Sequence, residues 1–453
     1  MSLVLDRPRR GRPPARNEIL RGGRLGGVEP ERLAERFGTP LYAYDLDVVD
    51  RQVAALRGVL PDRVELAYAV KANPALAVVT HLARSGLGAD VASGGELATA
   101  QRAGVPGDRI VMTGPGKRDD ELRAAVIAGI RAITVESIGE LGRLETIARD
   151  LGRRQPVMLR AAVSPEARLE RVRLVGDDGA GKFGMGAADL VDAARRAAHS
   201  AHVELLGLHA FGASNVLDAP ALVEHVRSTS RAAAELGRIA GVPITLVDAG
   251  GGLGIPYEPQ EESLDLVGFG RGVAAVTDGW RGDAWLAGAR LLLEPGRFLV
   301  GPAGAYVARV VDRKSVDGAA VVILDGGVHH VLRPALVGQE HRVRPLGRPA
   351  GRSAPVTVAG PLCSGLDVLA AGAVMAVPQV GDLVAVLDVG AYGFTESMPY
   401  FLSHPIPAEV VVQGGRAALI RPRLDPGEWL DRQLVPDLAS EERSSSASGL
   451  DRA

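Results

Sequence analysis

Residues 64–93 have the sequence VELAYAVKANPALAVVTHLARSGLGADVAS. A short apolar run at 64–70 is followed by an amphipathic run of helical period at 75–85 and by a second apolar run at 88–92. Strands that alternate with helices through short connections are typical of a parallel sheet covered by helices. This stretch therefore predicts one strand–helix–strand unit of such a sheet.

The same alternation continues along the chain from about Tyr42 to Leu293. In order, the apolar runs are VELAYAV, GADVAS, IVMTG, AITVES, VMLRAAV, LLGLHAF, ITLVDAG and WLAGARLLLEPG. About eight units in about 250 residues are typical of a (β/α)8 barrel. A doubly wound open sheet is the alternative, but it seldom contains so many units.

After Arg297 the pattern changes to alternating, valine-rich runs separated by glycine and proline, among them AGAYVARVVDRKS, AAVVILDGG, APVTVAG and DLVAVLDVG. These runs predict a mostly antiparallel C-terminal β domain, either a β-sandwich or a β-barrel. The predicted organisation is a flexible basic arm (1–18), a segment joining the β domain (19–40), the barrel (41–297), the β domain (298–430) and a flexible tail (431–453).

The composition is that of an ordinary globular chain, 453 residues long, 46% hydrophobic and 23% charged. Lys+Arg number 52 and Asp+Glu 54, so the net charge of −2 predicts neither a nucleic acid nor a membrane partner. The single cysteine excludes an intrachain disulfide, and no apolar stretch approaches the roughly 20 residues of a membrane helix. Since the N-terminus also lacks the features of a signal peptide, we expect a cytoplasmic protein.

In a (β/α)8 barrel, catalytic residues lie where the strands end. Lys71 ends the first strand, where burial would lower the pKa of its amine and make it a nucleophile able to form a Schiff base. A surface lysine at the start of a loop is equally compatible with this position. Asp90 ends the next strand and could orient a lysine or a substrate ammonium, while Ser93 and Glu96 have the spacing of a capping box.

Two further strand ends suit a phosphorylated aromatic cofactor. Phe211 could lie against a flat ring and Ser214 could donate to phosphate, although such a Phe is more often a core residue and His209 more often a satisfied buried histidine. Gly250, Gly251 and Gly252 expose backbone amides to an anion, and a tight turn is the alternative. The motif is not GxGxxG, which disfavours NAD.

The remaining candidates lie at and beyond the end of the barrel. Glu294 could pair with a pyridinium nitrogen and Arg297 could bind phosphate or carboxylate, with a structural ion pair as the alternative. Cys363 lies in a Gly/Pro-rich loop that suits a functional thiol as well as a buried small side chain, and Tyr392 could donate its hydroxyl. The adjacent His329 and His330 lack the spacing of zinc ligands, so no metal is predicted.

The motifs together resemble one family. Its members are the fold-type III decarboxylases that use pyridoxal 5′-phosphate (PLP), which act on diaminopimelate, ornithine or arginine. The resemblance covers about Gly38 to Val412, is greatest to the diaminopimelate decarboxylases and their relatives that act on carrier-linked aminoacyl groups, and rests on YAVKAN (68–73), KFG (182–184), DAGGGLG (248–254), EPGR (294–297), GPLC (360–363) with Asp367, and GAYG (390–393). It implies an alanine-racemase-like barrel with a C-terminal β domain, in a head-to-tail homodimer with shared active sites.

The resemblance also implies a role for each matching residue. Lys71 would hold PLP as a Schiff base near Asp90, Phe211 would stack on the ring, and Glu294 would meet the pyridine nitrogen. Ser214 and Gly250–Gly252 would hold the phosphate, Arg297 would bind phosphate or substrate, and Tyr392 would contact the cofactor. Cys363 of the partner subunit would return a proton to Cα after loss of CO2.

Departures from the diaminopimelate pattern concern the substrate. Phe211 replaces a histidine, Ser364 a glutamate and Val337 a tyrosine, and FTESMPYFLSH (394–404) replaces a serine-rich segment, whereas Arg297 and Arg333 remain. Loss of the anion that would pair with a distal ammonium predicts an amino acid other than free diaminopimelate. An aminoacyl group on an acyl carrier protein, in secondary metabolism, fits Arg297, Arg333, Val337 and Ser364 as substrate-binding residues.

Three alternatives stay open on the sequence alone. The first is a diaminopimelate decarboxylase in which another residue, such as Glu396, meets the ammonium. The second is a racemase on the same barrel, which the Cys363 loop disfavours. The third is a non-catalytic PLP-binding regulator, which would be expected to lack Lys71 or Cys363.

Overall fold

The structure is a computed structural model that describes residues 18–163, 169–170, 181–258, 260–347 and 352–436. The predicted basic arm lies outside these residues except for Glu18, and so does the tail from 437 onward. The first elements are β1 (Leu20–Arg21), β2 (Arg24–Leu25), α1 (Pro30–Phe37), β3 (Leu41–Asp45) and α2 (Leu46–Arg57).

The central part of the chain is a closed parallel barrel, as the sequence predicts. Its strands, with two short ones outside it, are β4 (Val64–Ala69), β5 (Gly88–Val91), β6 (Ile110–Met112), β7 (Ala132–Val135), β8 (Gln155–Arg160), β9 (Leu169–Glu170), β10 (Val203–His209), β11 (Ala213–Ser214), β12 (Leu246–Asp248) and β13 (Arg290–Leu293). The order around the barrel is β10-β12-β13-β4-β5-β6-β7-β8, while β9 pairs with β11. Neighbouring barrel strands are parallel, so all their carboxyl ends lie at one rim.

Helices cover the outside of the barrel: α3 (Leu76–Arg84), α4 (Gly94–Arg102), α5 (Asp119–Ala128), α6 (Ile138–Asp150), α7 (Ala187–His199), α8 (Ala219–Ala240) and α9 (Leu266–Asp278). Several begin at a side chain that accepts a backbone N–H of the first turn. Ser93 Oγ, for example, accepts from Glu96 N at 3.2 Å, as the capping-box spacing predicts, although Glu96 accepts from Ala92 N and not from Ser93. None of the helices in the described ranges is both long and apolar enough to cross a membrane.

The C-terminal part is built on a nine-stranded, mostly antiparallel sheet. Its elements are α10 (Arg297–Val300), β14 (Gly304–Val316), β15 (Ala319–Leu324), α11 (Arg333–Val337), β16 (Val343–Pro345), β17 (Ser353–Ala359), β18 (Val368–Ala376), β19 (Leu383–Leu387), β20 (Ala408–Gln413), β21 (Arg416–Arg421) and α12 (Pro426–Leu430). The main path of the sheet is β18-β17-β15-β14-β3-β20-β21, and β16 and β19 branch from β14.

The strand β3 belongs to this sheet and not to the barrel. It pairs antiparallel with β14 on one side and parallel with β20 on the other, so the barrel boundary predicted at residue 41 is wrong for these five residues. All five are buried, with Tyr42 and Tyr44 in one apolar cluster and Leu41 and Ala43 in another. A central strand buried on both faces has the same sequence pattern as a parallel barrel strand, which explains the error.

Candidate active site

A cavity lies at the carboxyl ends of barrel strands β4, β10, β12 and β13, where a loop of the β domain reaches the barrel. It is lined by Ala69, Lys71, Phe211, Ser214, Asn215, Gly251, Gly252, Leu253, Glu294, Gly296, Arg297 and Tyr392. Most of the cofactor-site residues predicted from the sequence are therefore together around one space. Asp90 and Gly250 adjoin it, through Lys71 and Gly251 respectively.

Lys71 lies in a short 3-10 turn, Val70–Ala72, that ends β4. Its Nζ is 3.4 Å from Asp90 Oδ2 and 5.6 Å from the centre of the Phe211 ring. The predicted lowering of the Lys71 pKa is wrong. Burial acts in that direction, but the negative charge of Asp90, aided by Tyr392 and Glu294, outweighs it and raises the pKa of Lys71 above its ordinary value. Lys71 therefore presents a positive charge to the cavity.

Asp90 is held beside Lys71 by the register of the barrel. It pairs with Ala69 across β4 and β5, and its side chain is 1% exposed. Thr113 Oγ1 donates to Asp90 Oδ1 at 2.6 Å, which leaves Oδ2 directed at the lysine. Burial, together with the charge of Glu294, raises the pKa of Asp90 above its usual range.

Three polar side chains meet at the ends of β10, β12 and β13. One ligand atom each of His209, Asp248 and Glu294 lies within 4.8 Å of the others, and all three residues are buried. Burial would raise the pKa of Glu294, but His209 and Lys71 lower it to about 2, whereas burial and the Glu294 charge raise the pKa of Asp248 well above its usual range. Buried Glu294 Oε1 has no hydrogen-bond partner in the described chain, so this ionised carboxylate can accept a protonated ring nitrogen or a cation.

The sequence does not predict that His209, Asp248 and Glu294 lie together. His209 was expected to be a satisfied core histidine, yet its buried Nδ1 has no partner among the described residues. The sequence also predicts no metal, on the basis of His329 and His330 alone. Only the strand register, in which His209 pairs with Asp248, brings these donors together, and no spacing motif in the chain indicates it.

The glycine run after β12 leaves room for a close approach to the cavity. Gly250 has φ +63°, and a Cβ there would lie 2.7 Å from Phe211 Cδ2. A Cβ on Gly251 would lie 2.5 Å from the Glu294 carbonyl oxygen. Both contacts are shorter than real Cβ contacts, so these positions require glycine. Ser214 lines the same cavity as Gly251 and Gly252.

Tyr392 connects the β domain to the lysine loop. It has φ +53°, and its backbone N–H donates to the Ala72 carbonyl at 2.8 Å. Two guanidinium groups lie against its ring, with Arg297 Cζ 4.7 Å and Arg333 Cζ 5.0 Å from the ring centre. Arg297 also donates to Tyr257 Oη at 2.7 Å. The ring of Tyr392 thus lies against Arg297, which lines the cavity, and against Arg333, which does not.

Comparison with known proteins assigns the family. Residues 46–301 match the pyridoxal-binding domain of the pyridoxal-dependent decarboxylases. The chain belongs to the pyridoxal-dependent decarboxylase family. This confirms the resemblance found in the sequence, with PLP as the cofactor and amino-acid decarboxylation as the class of reaction.

Relatives of this decarboxylase cover most of the chain. Diaminopimelate decarboxylase of Zymomonas mobilis is 33% identical over 421 residues, 91% of this chain and 94% of the relative. The L-glutamyl-[BtrI acyl-carrier protein] decarboxylase of Niallia circulans is 32% identical over 406 residues, 88% and 94% of the two chains. The crystal structure of diaminopimelate decarboxylase from M. jannaschii with L-lysine superposes with a TM-score of 0.84 at 29% identity, covering 91% and 96%.

The predicted substrate residues of the decarboxylase are not all at the cavity. Arg333 is buried at the start of α11, where Nη1 lies 2.7 Å from Glu396 Oε2 and Nε donates to Gln339 Oε1 at 3.2 Å. Glu396, which the sequence offers as a partner for a distal ammonium, is therefore paired with an arginine. Val337 is half-buried at the other end of α11.

Cys363 is exposed and is not among the residues that line the cavity. Its loop is fixed by buried Asp367, whose carboxylate accepts from Val328 N at 2.7 Å and from Leu362 N at 2.8 Å. Ser364 is half-buried in the same loop, and its Oγ accepts from Leu366 N at 3.2 Å. Within one chain, Cys363 and Ser364 are thus held rigidly in a loop outside the cavity.

Proposed function

We propose that this decarboxylase removes the α-carboxylate of an amino acid whose distal end bears no free ammonium, such as an aminoacyl group carried by an acyl carrier protein. The supporting observation is Ser364, which stands beside Cys363 where the diaminopimelate enzymes have glutamate. Its hydroxyl accepts a hydrogen bond from the backbone N–H of Leu366 in the same loop. A buried ammonium without a carboxylate partner would be strongly disfavoured. The similar Niallia circulans enzyme, named for a glutamyl carrier protein, supports the same substrate class.

In this proposal the cavity residues hold PLP. The unpaired buried Oε1 of Glu294 suits a protonated pyridine nitrogen, and Lys71 carries the cofactor covalently beside Asp90. Ser214 and Gly250–Gly252 receive the phosphate where a glycine backbone can approach closely, with Arg297 nearby. Phe211 of the barrel and Tyr392 of the β domain lie beside the PLP ring. When bound, PLP supplies an electron sink for the charge left at Cα as CO2 departs.

Cys363 completes the site from a partner subunit of a homodimer. Its exposure, outside the cavity of its own chain, supports this arrangement, and the Asp367-fixed loop holds it in one position. There Cys363 Sγ delivers the proton that replaces the carboxylate at Cα. Arg297 contacts the substrate from the cavity, and Arg333, Val337 and Ser364, which do not line the cavity of a single chain, contact the part of the substrate that extends beyond it. We place the reaction in the cytoplasm, in the biosynthesis of a secondary metabolite.

Diaminopimelate decarboxylation is the second candidate, because several similar proteins carry that activity in their names. The test is incubation of the PLP-loaded protein with free amino acids and carrier-linked aminoacyl groups, with loss of CO2 read by mass. Turnover of a carrier-linked group, with free diaminopimelate slower by about 100-fold or more, is expected. Turnover of free diaminopimelate at ordinary enzyme rates would instead establish the second candidate.

A further inference from the structure

The two arginines beside Tyr392 differ in their charge balance. Arg297 donates to the Tyr257 hydroxyl at 2.7 Å and forms no ion pair within the described chain. Arg333 Nη1 lies 2.7 Å from Glu396 Oε2. Of the two guanidinium groups against this ring, only Arg333 has a carboxylate of the described chain at ion-pair distance.

The charge of Arg333 is compensated inside the protein. Its side chain is 7% exposed, its Nε donates to Gln339 and its Nη1 donates to Glu396. The Glu396 side chain is 31% exposed, so this side of the pair is still open to solvent. Removing Glu396 should therefore cost more than removing one partner of a surface ion pair, because the guanidinium would be left buried without a compensating charge.

Glu396 is held in place by a structure built around it. It ends a 3-10 turn, Phe394–Glu396, and the next residue, Ser397, accepts from Leu332 N at 3.1 Å. Ser397 Oγ in turn donates to Gly393 O at 2.7 Å. These bonds fix the turn against the start of α11, which begins at Arg333. The pair therefore joins two ordered segments.

We propose that Glu396 is a specificity-determining residue: by neutralising Arg333 it makes the enzyme select amino acids with an uncharged distal end, a thioester or amide, over those with a free distal carboxylate. A free carboxylate that accepts from Arg333 would have to share the guanidinium with a second negative charge, Glu396, or displace Glu396 and leave a half-buried charge unpaired. A thioester or amide carbonyl can accept from the guanidinium without displacing it. The inference rests on the proposed function and refines its substrate class.

Isothermal titration of PLP-loaded protein with a matched pair of probes tests this directly. Glutarate carries two carboxylates, and its monoamide carries one carboxylate and an uncharged end of the same length. The wild type should bind glutarate no more tightly than the monoamide. In Glu396→Gln the preference for glutarate should rise by about 10-fold or more, because Arg333 then presents its charge.

Two variants separate this effect from general disturbance of the protein. The double variant Arg333→Gln/Glu396→Gln should lose the gained preference, since the guanidinium that causes it is absent. Glu224→Gln, which breaks an exposed pairing with Arg227 and Arg231 on α8, should behave as the wild type.

An unchanged ratio in a folded Glu396→Gln variant would refute the inference, and so would a wild type that already prefers glutarate. A protein that decarboxylates no amino acid at all would refute the proposed function, while the titrations would still report on Glu396.

Discussion

Asp90 Oδ2 lies 3.4 Å from Lys71 Nζ, and the carboxylate is almost fully buried while the lysine side chain is 42% exposed. Burial acts to lower the pKa of Lys71, but the charge of Asp90, together with Tyr392 and Glu294, outweighs it and raises this pKa. Asp90 is the largest of the contributions that favour the protonated state of the residue that must react with the cofactor.

Asp90→Asn should lower the pKa of Lys71, because it removes the largest of the charges that oppose the effect of burial on the amine. A larger neutral fraction reacts faster with an aldehyde, so the pH profile of PLP attachment to cofactor-free protein should move down by about one unit or more. The measurement is the rate at which visible absorbance appears after addition of PLP. Exposed Asp108→Asn is the control, and an unchanged profile in Asp90→Asn would contradict the assignment.

Glu294→Gln should reduce decarboxylation by about 100-fold or more with PLP still bound, because an amide cannot balance a protonated ring nitrogen. The pKa of about 2 also predicts that wild-type activity has no acid limb from Glu294 down to about pH 3. Since this pKa is depressed, the stabilisation from ionised Glu294 is present above its ordinary value of 4.5 and is lost as pH falls toward 2. The steady-state rate of Glu294→Gln tests the expected loss of activity, with Glu235→Gln on the exposed face of α8 as the control. A rate near that of the wild type in Glu294→Gln would contradict the role of Glu294.

The variants Lys71→Ala and Cys363→Ala should each be inactive, whereas a mixture of the two should regain activity. If each site takes Lys71 from one chain and Cys363 from the other, equal mixing gives half heterodimers with one intact site each, about 25% of wild-type activity. Cys363→Ala alone should keep the visible absorbance that Lys71→Ala loses. No recovery of activity in a mixture shown to exchange subunits would mean that the sites are not shared.

Gly251→Ala should weaken PLP binding severely, because the added Cβ would lie 2.5 Å from the Glu294 carbonyl oxygen. Forcing such a contact costs about 1–3 kcal/mol and would move the backbone that faces the phosphate. The PLP dissociation constant and the melting temperature measure the two effects. Gly288→Ala, whose Cβ would meet no atom within 4 Å, should change neither, and unaltered PLP affinity in Gly251→Ala would argue against the phosphate assignment.

Much of the site could be located from the sequence because a parallel barrel gathers its strand ends at one rim. Lys71, Glu294 and the glycine run each follow an apolar run directly, so knowledge of the strands was enough to bring them together. Their local surroundings were not predictable in the same way. The pKa of Lys71 depends on the balance between burial and the nearby negative charges, and the His209–Asp248–Glu294 cluster depends on the register of three strands.

The pairing of Arg333 with Glu396 could not be found from the sequence for a different reason. The two residues are 63 positions apart and lie on a short helix and a 3-10 turn, neither of which has a periodic pattern. Sequence reasoning noticed Glu396 only as a possible partner for a substrate ammonium. The turn that carries Glu396 is fixed by the Ser397 hydroxyl, which makes hydrogen bonds with Leu332 and Gly393. No sequence motif predicts these bonds.

The place of β3 has a consequence for how the molecule is made. The last residue of β3 is Asp45, whereas its neighbours β14 and β20 begin only at Gly304 and Ala408, so β3 is synthesised long before either of them. The barrel has all its strands before either neighbour exists, and pairing across such long stretches of chain must wait for them. Tyr392 precedes β20 and follows every strand of the barrel, so the wall that it adds to the cavity is synthesised after the barrel. The cavity is therefore completed later in synthesis than the barrel that carries Lys71 and Glu294.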